Sequence, residues 1–262
     1  MKFSAIASGS TGNCQFIETN EKRILIDAGL SGKAIERNLN IIGVDPSTLD
    51  GIFVTHEHND HVKGVGILAR RYGLEVFANE NTWRAMERTV KRIDDHKRHI
   101  FQSAEPFHFG DLTVYPMPLF HDAADACGYV FSSGGKKISI LTDTGWVNTS
   151  MLEHMAGSDI YYLESNHDLE MLQNGPYPRV LKDRIASTRG HLSNEHCAEL
   201  LTSLLEKRQE HVILAHLSQE NNIPLLAART TRDTLADHHI HEGVDFLLEV
   251  AKPDDPTKLI EL

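Results

Sequence analysis

The chain has 262 residues, of which 40% are hydrophobic, and its formal net charge is −11 at pH 7. These values are typical of a globular protein with a sizeable core. The acidic balance argues against a broad basic surface that grips phosphates without regard to sequence, although two bound dications would offset part of the local negative charge. No long linker interrupts the pattern, so we predict one domain over residues 1–262.

The cysteines and the hydropathy pattern predict a cytoplasmic protein. Cys14, Cys127 and Cys197 are far apart and form no C-x-x-C pair, which is typical of small buried residues in a reducing compartment. No stretch approaches the roughly 20 apolar residues that a transmembrane helix needs. The first residues are typical of a strand and not of a signal peptide, so we expect neither secretion nor membrane insertion.

The first part of the chain predicts several strands and then alternating strands and helices. Ser31 is suited to cap the first helix. In chain order the predicted elements are strands 2–7, 15–18 and 23–27, helix 31–42, strand 51–54, helix 62–71, strand 75–78 and helix 81–93.

The second part repeats this order. The predicted elements are strands 112–115, 128–131 and 137–141, helix 149–156, strand 159–164, a helical stretch 168–185 broken at 175–178, helix 193–207, strand 211–215, helix 224–236 and strand 246–250. We therefore predict an α/β protein of two similar halves, whose sheets pack face to face with the helices outside.

Residues 55–61, Thr-His-Glu-His-Asn-Asp-His, lie between a predicted strand and a predicted helix. On an extended segment His56 and His58 point the same way and can share one ion. Asp60 and His61 can aim at a second ion, and metal ions about 3.5–4 Å apart can clamp the oxygens of a hydrolysis. These ligand types, without a thiolate, suit Zn, Mn or Fe. A solvated polar turn is the alternative.

Three further candidate ligands, His121, Asp143 and His216, each follow a predicted strand. Taken alone, His121 could be a surface or core histidine, and Asp143 could cap its own turn. Two ions need more ligands than one turn supplies, so we favour ligation, with Asp143 as the bridge. A water shared by two ions would have a lowered pKa and would serve as the nucleophile. The predicted sets are His56, His58 and His121 for one ion, and Asp60, His61 and His216 for the other.

These seven residues resemble, in order, the ligands of the metallo-β-lactamase fold superfamily. The resemblance implies a four-layer αββα sandwich with two divalent ions, and it implies catalytic roles for Asp60 and Asp143. Members that cleave β-lactams usually lack a histidine at the place of His61 and carry a cysteine in the site. A β-lactamase is therefore disfavoured here.

The same resemblance suggests supporting roles for three residues. His191, in Gly-His-Leu-Ser, is a candidate general acid or phosphate contact, and Glu164 could orient it. Asp27 matches a position that braces a ligand histidine, where a carboxylate sets the imidazole tautomer. A loop histidine beside an ordinary strand-end glutamate is the alternative for His191 and Glu164.

Several short motifs resemble the YycJ/WalJ group within the superfamily. The short spacing between Asp143 and His216 leaves no room for the extra domain of the β-CASP nucleases. The resemblance to the group implies a cytosolic, metal-dependent DNA exonuclease that acts from the 5′ end, with links to mismatch repair and cell-wall regulation. The motifs are Ser8–Cys14, Leu25–Gly29, Thr55–His58, Leu141–Gly145, Glu164–His167 and Gly190–Asn194.

Candidate substrate contacts follow from charge and position. Arg84, Arg88 and Arg92 are spaced i, i+4, i+8 and would share one helix face, and a basic face can bind phosphates. Asn166 and His167 follow a strand and could also reach the substrate. A solvated face paired with nearby acidic residues is the alternative for the arginines.

Two other functions stay open beside a nuclease acting on DNA, or possibly RNA. One is a hydrolase of small phosphodiesters or other esters, which would suit the acidic surface. The other is a regulatory protein, linked to cell-wall signalling, that keeps its metals for stability. The run 237–241, Asp-His-His-Ile-His, has metal-binding composition but no matching second ligand set, so we predict a polar loop. The native metal and the oligomeric state are not predicted.

Overall fold

A computed structural model describes every residue from Met1 to Leu262. It contains two seven-stranded sheets. Strands of the first sheet, in spatial order, are β14 (Ile260–Glu261), β1 (Lys2–Ala7), β2 (Cys14–Glu18), β3 (Arg23–Ile26), β4 (Gly51–Phe53), β5 (Glu75–Asn79) and β6 (Arg98–Phe101). Those of the second are β13 (Phe246–Val250), β12 (Glu210–Ala215), β11 (Ile160–Glu164), β10 (Lys136–Leu141), β9 (Cys127–Ser133), β8 (Leu112–Pro118) and β7 (Phe107–Phe109).

Nine α-helices complete the fold. None of them has the length and apolar character needed to cross a membrane. In chain order they are α1 (Gly32–Ile41), α2 (Asn59–Val62), α3 (Val65–Tyr72), α4 (Glu80–Val90), α5 (Thr149–Met155), α6 (Leu169–Asn174), α7 (Arg179–Ile185), α8 (Asn194–Leu204) and α9 (Pro224–Asp237).

The two sheets have the same topology. In the first, β14, β1, β2 and β3 pair antiparallel, and β3 to β6 pair parallel. In the second, β7 to β10 pair antiparallel, and β10 to β13 pair parallel. Carboxyl ends of parallel strands meet at one edge of a sheet. The loops that leave β3, β4, β10, β11 and β12 are therefore brought to the place where a site can form.

Three hydrophobic layers hold the sandwich together. Between the sheets, Phe53 stacks on Phe77 with ring centroids 4.4 Å apart and meets Phe131 edge to face. The Tyr129 hydroxyl donates to the Val54 carbonyl across the sheets at 2.6 Å. One outer layer packs the first sheet under α1, α3 and α4, and the other packs the second sheet under α5, α8 and α9. The predicted αββα sandwich of two similar halves is confirmed.

The helix predicted at 62–71 is divided in the structure into α2 and α3. Glycine is needed near the break because a Cβ at Gly64 would lie 2.5 Å from the Leu30 carbonyl oxygen, and one at Gly66 would lie 1.9 Å from that of Val90. These close approaches seat α3 against the loop after β3 and against the end of α4. The two glycines therefore serve tertiary packing and interrupt the helix predicted from periodicity.

The helix predicted at 81–93 ends at Val90, because Lys91 adopts a left-handed φ of 60°. Arg92 therefore lies beyond the helix, and the predicted basic face over three turns is wrong. Arg84 and Arg88 remain on α4. The short edge strands β6, β7 and β14 were not predicted. Edge strands carry polar or charged residues on the solvent side, so their sequences lack the apolar runs that indicate the central strands.

Candidate metal centre

The seven predicted ligands converge at the edge where both sheets present the ends of their parallel strands. Within each possible ligand group, one ligand atom of every residue lies within 4.8 Å of the others. One group joins His56, from the set predicted for the first ion, and His61, from the set predicted for the second ion, to Asp143. This is the arrangement that a bridging carboxylate requires. Three of the groups are His56, His58 and His121; Asp60, His61 and His216; and His56, His61 and Asp143. A fourth group joins Asp143 and His216 to Glu164 and His191, the two residues predicted to support the site.

The turn after β4 divides its ligands between the two groups. His56 Nε2 and His58 Nδ1 lie 3.0 Å apart, so their rings face one point. The short helix α2 then begins at Asn59, with the His61 amide donating to the His58 carbonyl at 2.9 Å. This single helical turn brings Asp60 Oδ2 to 3.9 Å from His216 Nε2. It leaves the His61 ring between the two groups, with its centroid 4.1 Å from that of His56 and 6.1 Å from that of His216.

Three site residues that follow strands adopt left-handed backbone conformations. The φ angles are 58° at Asp27, 60° at Asp143 and 53° at His216. Such a conformation costs a non-glycine residue on the order of 1 kcal/mol or more and persists only where surrounding contacts enforce it. At His216 the backbone amide donates to Ser8 Oγ at 2.8 Å. The strained backbone at these three residues indicates that contacts within the sheets hold the site in place before any ligand binds.

Asp27 contacts the ligand turn and none of the other carboxylates. Its Oδ1 accepts from the Thr55 amide at 2.8 Å, and its Oδ2 accepts from Thr55 Oγ1 at 2.8 Å. His61 Nδ1 lies 2.7 Å from the same Oδ2. This contact leaves Nε2 of His61 to face Asp60 and Asp143. The geometry is that of a brace for a ligand imidazole.

Glu164 is fully buried and joins two histidines. Its Oε1 lies 2.8 Å from Nδ1 of both His191 and His216. Its Oε2 accepts from the Thr144 and Leu192 amides at 3.1 and 3.2 Å. The sequence predicts a pairing of Glu164 with His191, and the structure adds a contact with His216. One carboxylate thus orients a predicted ligand and the predicted general acid together.

The loop after β1, which carries the Ser8–Cys14 motif, supplies site residues to which the sequence analysis gave no role. The Asn13 side-chain amide lies 3.3 Å from Asp60 Oδ2 and 3.1 Å from His61 Nε2. Ser8 Oγ receives hydrogen bonds from the His216 amide and from the Tyr162 hydroxyl. The loop is a hairpin connection, yet it also positions ligands of the second group. An asparagine at the end of a glycine-containing turn is too common a pattern to have indicated this.

Two arginines contact the loop that carries His121: Arg184 from α7, and Arg189 from the segment that follows α7. Arg189 donates from Nε and Nη2 to the His121 carbonyl oxygen at 3.2 and 2.8 Å. Arg184 pairs with Asp122, whose Oδ1 lies 3.4 Å from His121 Nε2. These cations place positive charge beside the first ligand group.

Buried atoms without partners indicate that the cluster fits metal ions. His121 Nδ1, Asp143 Oδ2 and His216 Nε2 are buried and have no hydrogen-bond partner. Buried polar atoms are nearly always satisfied by protein, water or an ion. Imidazole nitrogens and carboxylate oxygens, with no cysteine among them, are the donors that Zn, Mn or Fe accept. The residues present therefore fit divalent metal ions.

The charges in the cluster perturb one another. Burial lowers the pKa of His216, but Asp143, Asp60 and Glu164 outweigh it and raise the pKa to about 10. Burial favours the neutral form of Glu164, yet His191 and His216 lower its pKa to about 2. Burial likewise opposes charge on His191, and Glu164 raises its pKa above the ordinary value. These opposed effects mark a site dense in fixed charge, which is typical of functional sites.

A cavity of about 200 Å³ lies beside this cluster, and both His191 and His216 line it. Asn166 lines it as well, although its amide donates to the His216 carbonyl at 2.9 Å. His167 is only 1% exposed and is not among the lining residues. The structure thus brings Asn166 to the cavity and leaves His167 behind it.

The remaining predicted residues lie away from the ligand groups. On α4, Arg84 pairs with Glu80. The start of α4 adjoins the His121 loop, because the Asn79 side chain donates to the Asp125 carbonyl at 2.7 Å. The run 237–241 follows α9, and His238 and His239 are exposed and belong to no ligand group.

The αββα fold and the histidine–aspartate cluster at the ends of its strands define a protein of the metallo-β-lactamase fold class. The chain belongs to the family described as the Beta-lactamase superfamily domain, which matches residues 22–217. Two curated relatives match over nearly their full length. The chain is 44% identical to "Exodeoxyribonuclease WalJ" of Streptococcus pneumoniae, covering 100% of this chain and 98% of that protein. It is 41% identical to "Exodeoxyribonuclease YycJ" of Bacillus anthracis, covering 99% and 98%.

Solved structures share the fold at low sequence identity. The metallo-beta-lactamase fold protein YhfI from Bacillus subtilis superposes with a TM-score of 0.73 at 15% identity, covering 98% of this chain and 99% of that one. The short form of human tRNase Z superposes with a TM-score of 0.67 at 16% identity, covering 100% of both chains. At these identities the likeness establishes the fold alone.

Proposed function

We propose that the protein is a dinuclear-metal phosphodiesterase, and specifically a DNA exonuclease that degrades strands from the 5′ end. One observation carries the proposal: seven ligand side chains and three unsatisfied buried atoms converge on one cluster in a chain that is 41–44% identical, over its full length, to proteins named exodeoxyribonucleases. The three free, buried cysteines support action in the cytoplasm.

In this proposal the metal sets are those predicted from the sequence. His56, His58 and His121 would hold one ion, Asp60, His61 and His216 would hold the other, and Asp143 would bridge. Zn or Mn, and also Fe, suit these donors. Bound divalent ions supply positive charge that polarises phosphate oxygens and lowers the pKa of water in the site.

The chain's own residues do the remaining work. Glu164 holds His191 through Nδ1 at 2.8 Å, which leaves Nε2 of this cavity-lining residue as the nitrogen free to act. Glu164 raises the pKa of His191, which favours the protonated imidazole, the form that can give a proton to the leaving oxygen of the cleaved phosphodiester. Asn166, at the cavity wall, is placed to contact the substrate.

Phosphate contacts away from the metals are assigned to arginines. Arg184 and Arg189 lie against the His121 loop, and the exposed Arg84 and Arg88 lie on α4, whose start adjoins the same loop. Arg92 follows that helix and is the weakest of the predicted contacts. A cluster of cations beside an acidic metal centre would draw a polyanionic strand toward the cleft.

The test is degradation of labelled DNA by purified protein supplied with Mn²⁺. We expect shortening of single or duplex strands from the 5′ end, and complete loss of it in Asp60→Ala/His61→Ala. The matched control is His238→Ala/His239→Ala, which removes two exposed histidines outside the cluster and should leave degradation intact. Parallel RNA strands decide between the two nucleic acids.

A second function is favoured by the size of the cavity. At about 200 Å³ it is smaller than typical ligand pockets, and a small phosphodiester would fill it. Turnover of bis(p-nitrophenyl) phosphate with intact DNA would support that hydrolase. Bound metal with no turnover of either substrate would support the regulatory protein.

A further inference from the structure

Two aromatic side chains stand out among the large hydrophobic residues that solvent reaches. Trp146 is 53% exposed and Phe120 is 39% exposed, and the other large hydrophobic residues that are exposed are all aliphatic. Trp146 follows the predicted bridging ligand Asp143 by three residues, and Phe120 directly precedes His121. Both rings thus present apolar area to solvent on segments that also carry predicted metal ligands, where a flat ligand could cover them.

The backbone around Trp146 is held firmly in place. The Gly145 amide donates to the Phe120 carbonyl at 3.1 Å, and the Phe120 amide donates to Thr144 Oγ1 at 3.2 Å. Thr144 Oγ1 in turn donates to the Trp146 carbonyl at 2.8 Å. On the other side, a Cβ at Gly145 would lie 2.1 Å from the Ser187 carbonyl oxygen. The backbone that carries the indole is therefore fixed relative to Asp143.

Trp146 also forms one wall of a second cavity, of about 220 Å³. Its aliphatic lining residues are buried or partly buried, and its polar lining side chains are exposed. Leu192 lines it, while the preceding His191 lines the cavity beside the metals. The two cavities thus flank one short segment of chain. The other lining residues of the second cavity are Gly145, Val147, His196, Glu199, Leu200 and Ser203.

We propose that this second cavity receives an unstacked nucleobase of the DNA strand, held against the indole of Trp146. This inference rests on the proposed function. An exposed indole, buried aliphatic side chains and exposed polar side chains suit a base, which has an apolar π-face and a hydrogen-bonding edge. Arg184, on α7, and Arg189, in the segment 187–190 that packs against Gly145, supply the positive charge that the strand's phosphates need. Because every base has a π-face, the contact tolerates any sequence.

The experiment compares Trp146→Ala and Trp146→Phe in the full, Mn²⁺-loaded protein. The probe is a fluorescent single-stranded oligonucleotide with phosphorothioate linkages, which resist hydrolysis while Kd is measured by anisotropy. We expect Trp146→Ala to raise Kd roughly 5- to 100-fold, and Trp146→Phe to retain most of the affinity. Ile41→Ala, a substitution of another exposed hydrophobic residue on α1, is the matched control and should leave Kd unchanged.

An abasic strand separates base stacking from an indirect effect. On such a strand the wild type should lose its advantage over Trp146→Ala. Quenching of indole fluorescence by DNA provides a second readout, because the only other tryptophan, Trp83, is 3% exposed. Equal Kd values for the wild type and Trp146→Ala on intact strands would overturn the base site. The proposed function would still stand in that case if the wild type degrades DNA. An equal loss on intact and abasic strands would also overturn it, and no DNA binding by the wild type would overturn both.

Discussion

Asp27 and Asp143 occupy equivalent positions in the two halves of the protein and face opposite nitrogens of one imidazole. Each lies beyond the strand at which its sheet changes from antiparallel to parallel pairing, and each has a left-handed φ, of 58° and 60°. Asp27 Oδ2 lies 2.7 Å from His61 Nδ1, and Asp143 Oδ2 lies 3.2 Å from His61 Nε2. The repeated topology has thus produced a brace in one half and a predicted ligand in the other.

Asp27→Asn tests the brace. Asparagine tolerates a left-handed backbone, so the loop should keep its conformation while the charged acceptor for His61 is removed. We expect metal affinity to fall roughly 10- to 100-fold, measured by titrating the metal-free protein with Zn²⁺ or Mn²⁺. Asp255→Asn, at an exposed carboxylate, is the control. Unchanged affinity in Asp27→Asn would show that the brace plays no part in holding metal.

His191→Ala tests the proposed general acid. We expect kcat on DNA to fall roughly 10²- to 10⁴-fold with bound metal unchanged, because Glu164 engages Nδ1 of His191 and the proposed metal sets do not include this residue. Metal content by elemental analysis and steady-state rates give the two readouts. His154→Ala removes a histidine that stacks on Tyr115, outside the cluster, and should preserve both. Loss of metal in His191→Ala would instead make His191 a ligand.

Charge reversal tests which arginines bind the strand. Arg184→Glu and Arg88→Glu should each raise KM for single-stranded DNA, and the slope of log KM against log salt should fall by about 0.7 for every phosphate that the variant no longer neutralises. Arg229→Glu, on the exposed side of α9, is the control. For Arg88, turnover of bis(p-nitrophenyl) phosphate should stay the same, and an equal decrease on both substrates would exclude strand binding by this residue.

Asp111 predicts a pH-dependent contribution to stability, away from the metals. It accepts from Thr19 Oγ1 at 2.5 Å and from Ser133 Oγ at 3.0 Å, so it ties a turn of the first sheet to a turn of the second. Burial acts to raise the pKa of Asp111, but these hydrogen bonds lower it below its ordinary value. A lowered folded-state pKa adds stability above the unfolded-state pKa, and this stability disappears as pH falls through the folded-state value.

Asp111→Asn should therefore lower the free energy of unfolding by about 1 kcal/mol at neutral pH, allowing for solvent screening. The difference from the wild type should shrink below about pH 4. Urea unfolding of metal-free protein across this range measures it, with Asp255→Asn as the control. A difference that stays constant down to about pH 2, well below the ordinary carboxyl pKa, would mean that ionisation of Asp111 is not its source.

The sequence by itself determined the αββα fold and brought forward the candidate ligands. Strand and helix signals are local, and His56, Asp143 and His216 each stand just after an apolar strand, where a sheet presents its polar groups. The sequence also showed the repeated order of strands and helices, because the two halves of the protein have the same topology.

Tertiary structure decided the contacts between these local pieces. Asn13 reaches His61 from another hairpin, Glu164 serves both His191 and His216, and Trp146 is left exposed by the packing of neighbouring loops. It also ended α4 before Arg92 and buried His167 behind the cavity. These features depend on how two sheets pack and on which atoms then lack partners. No pattern of neighbouring residues encodes such long-range geometry.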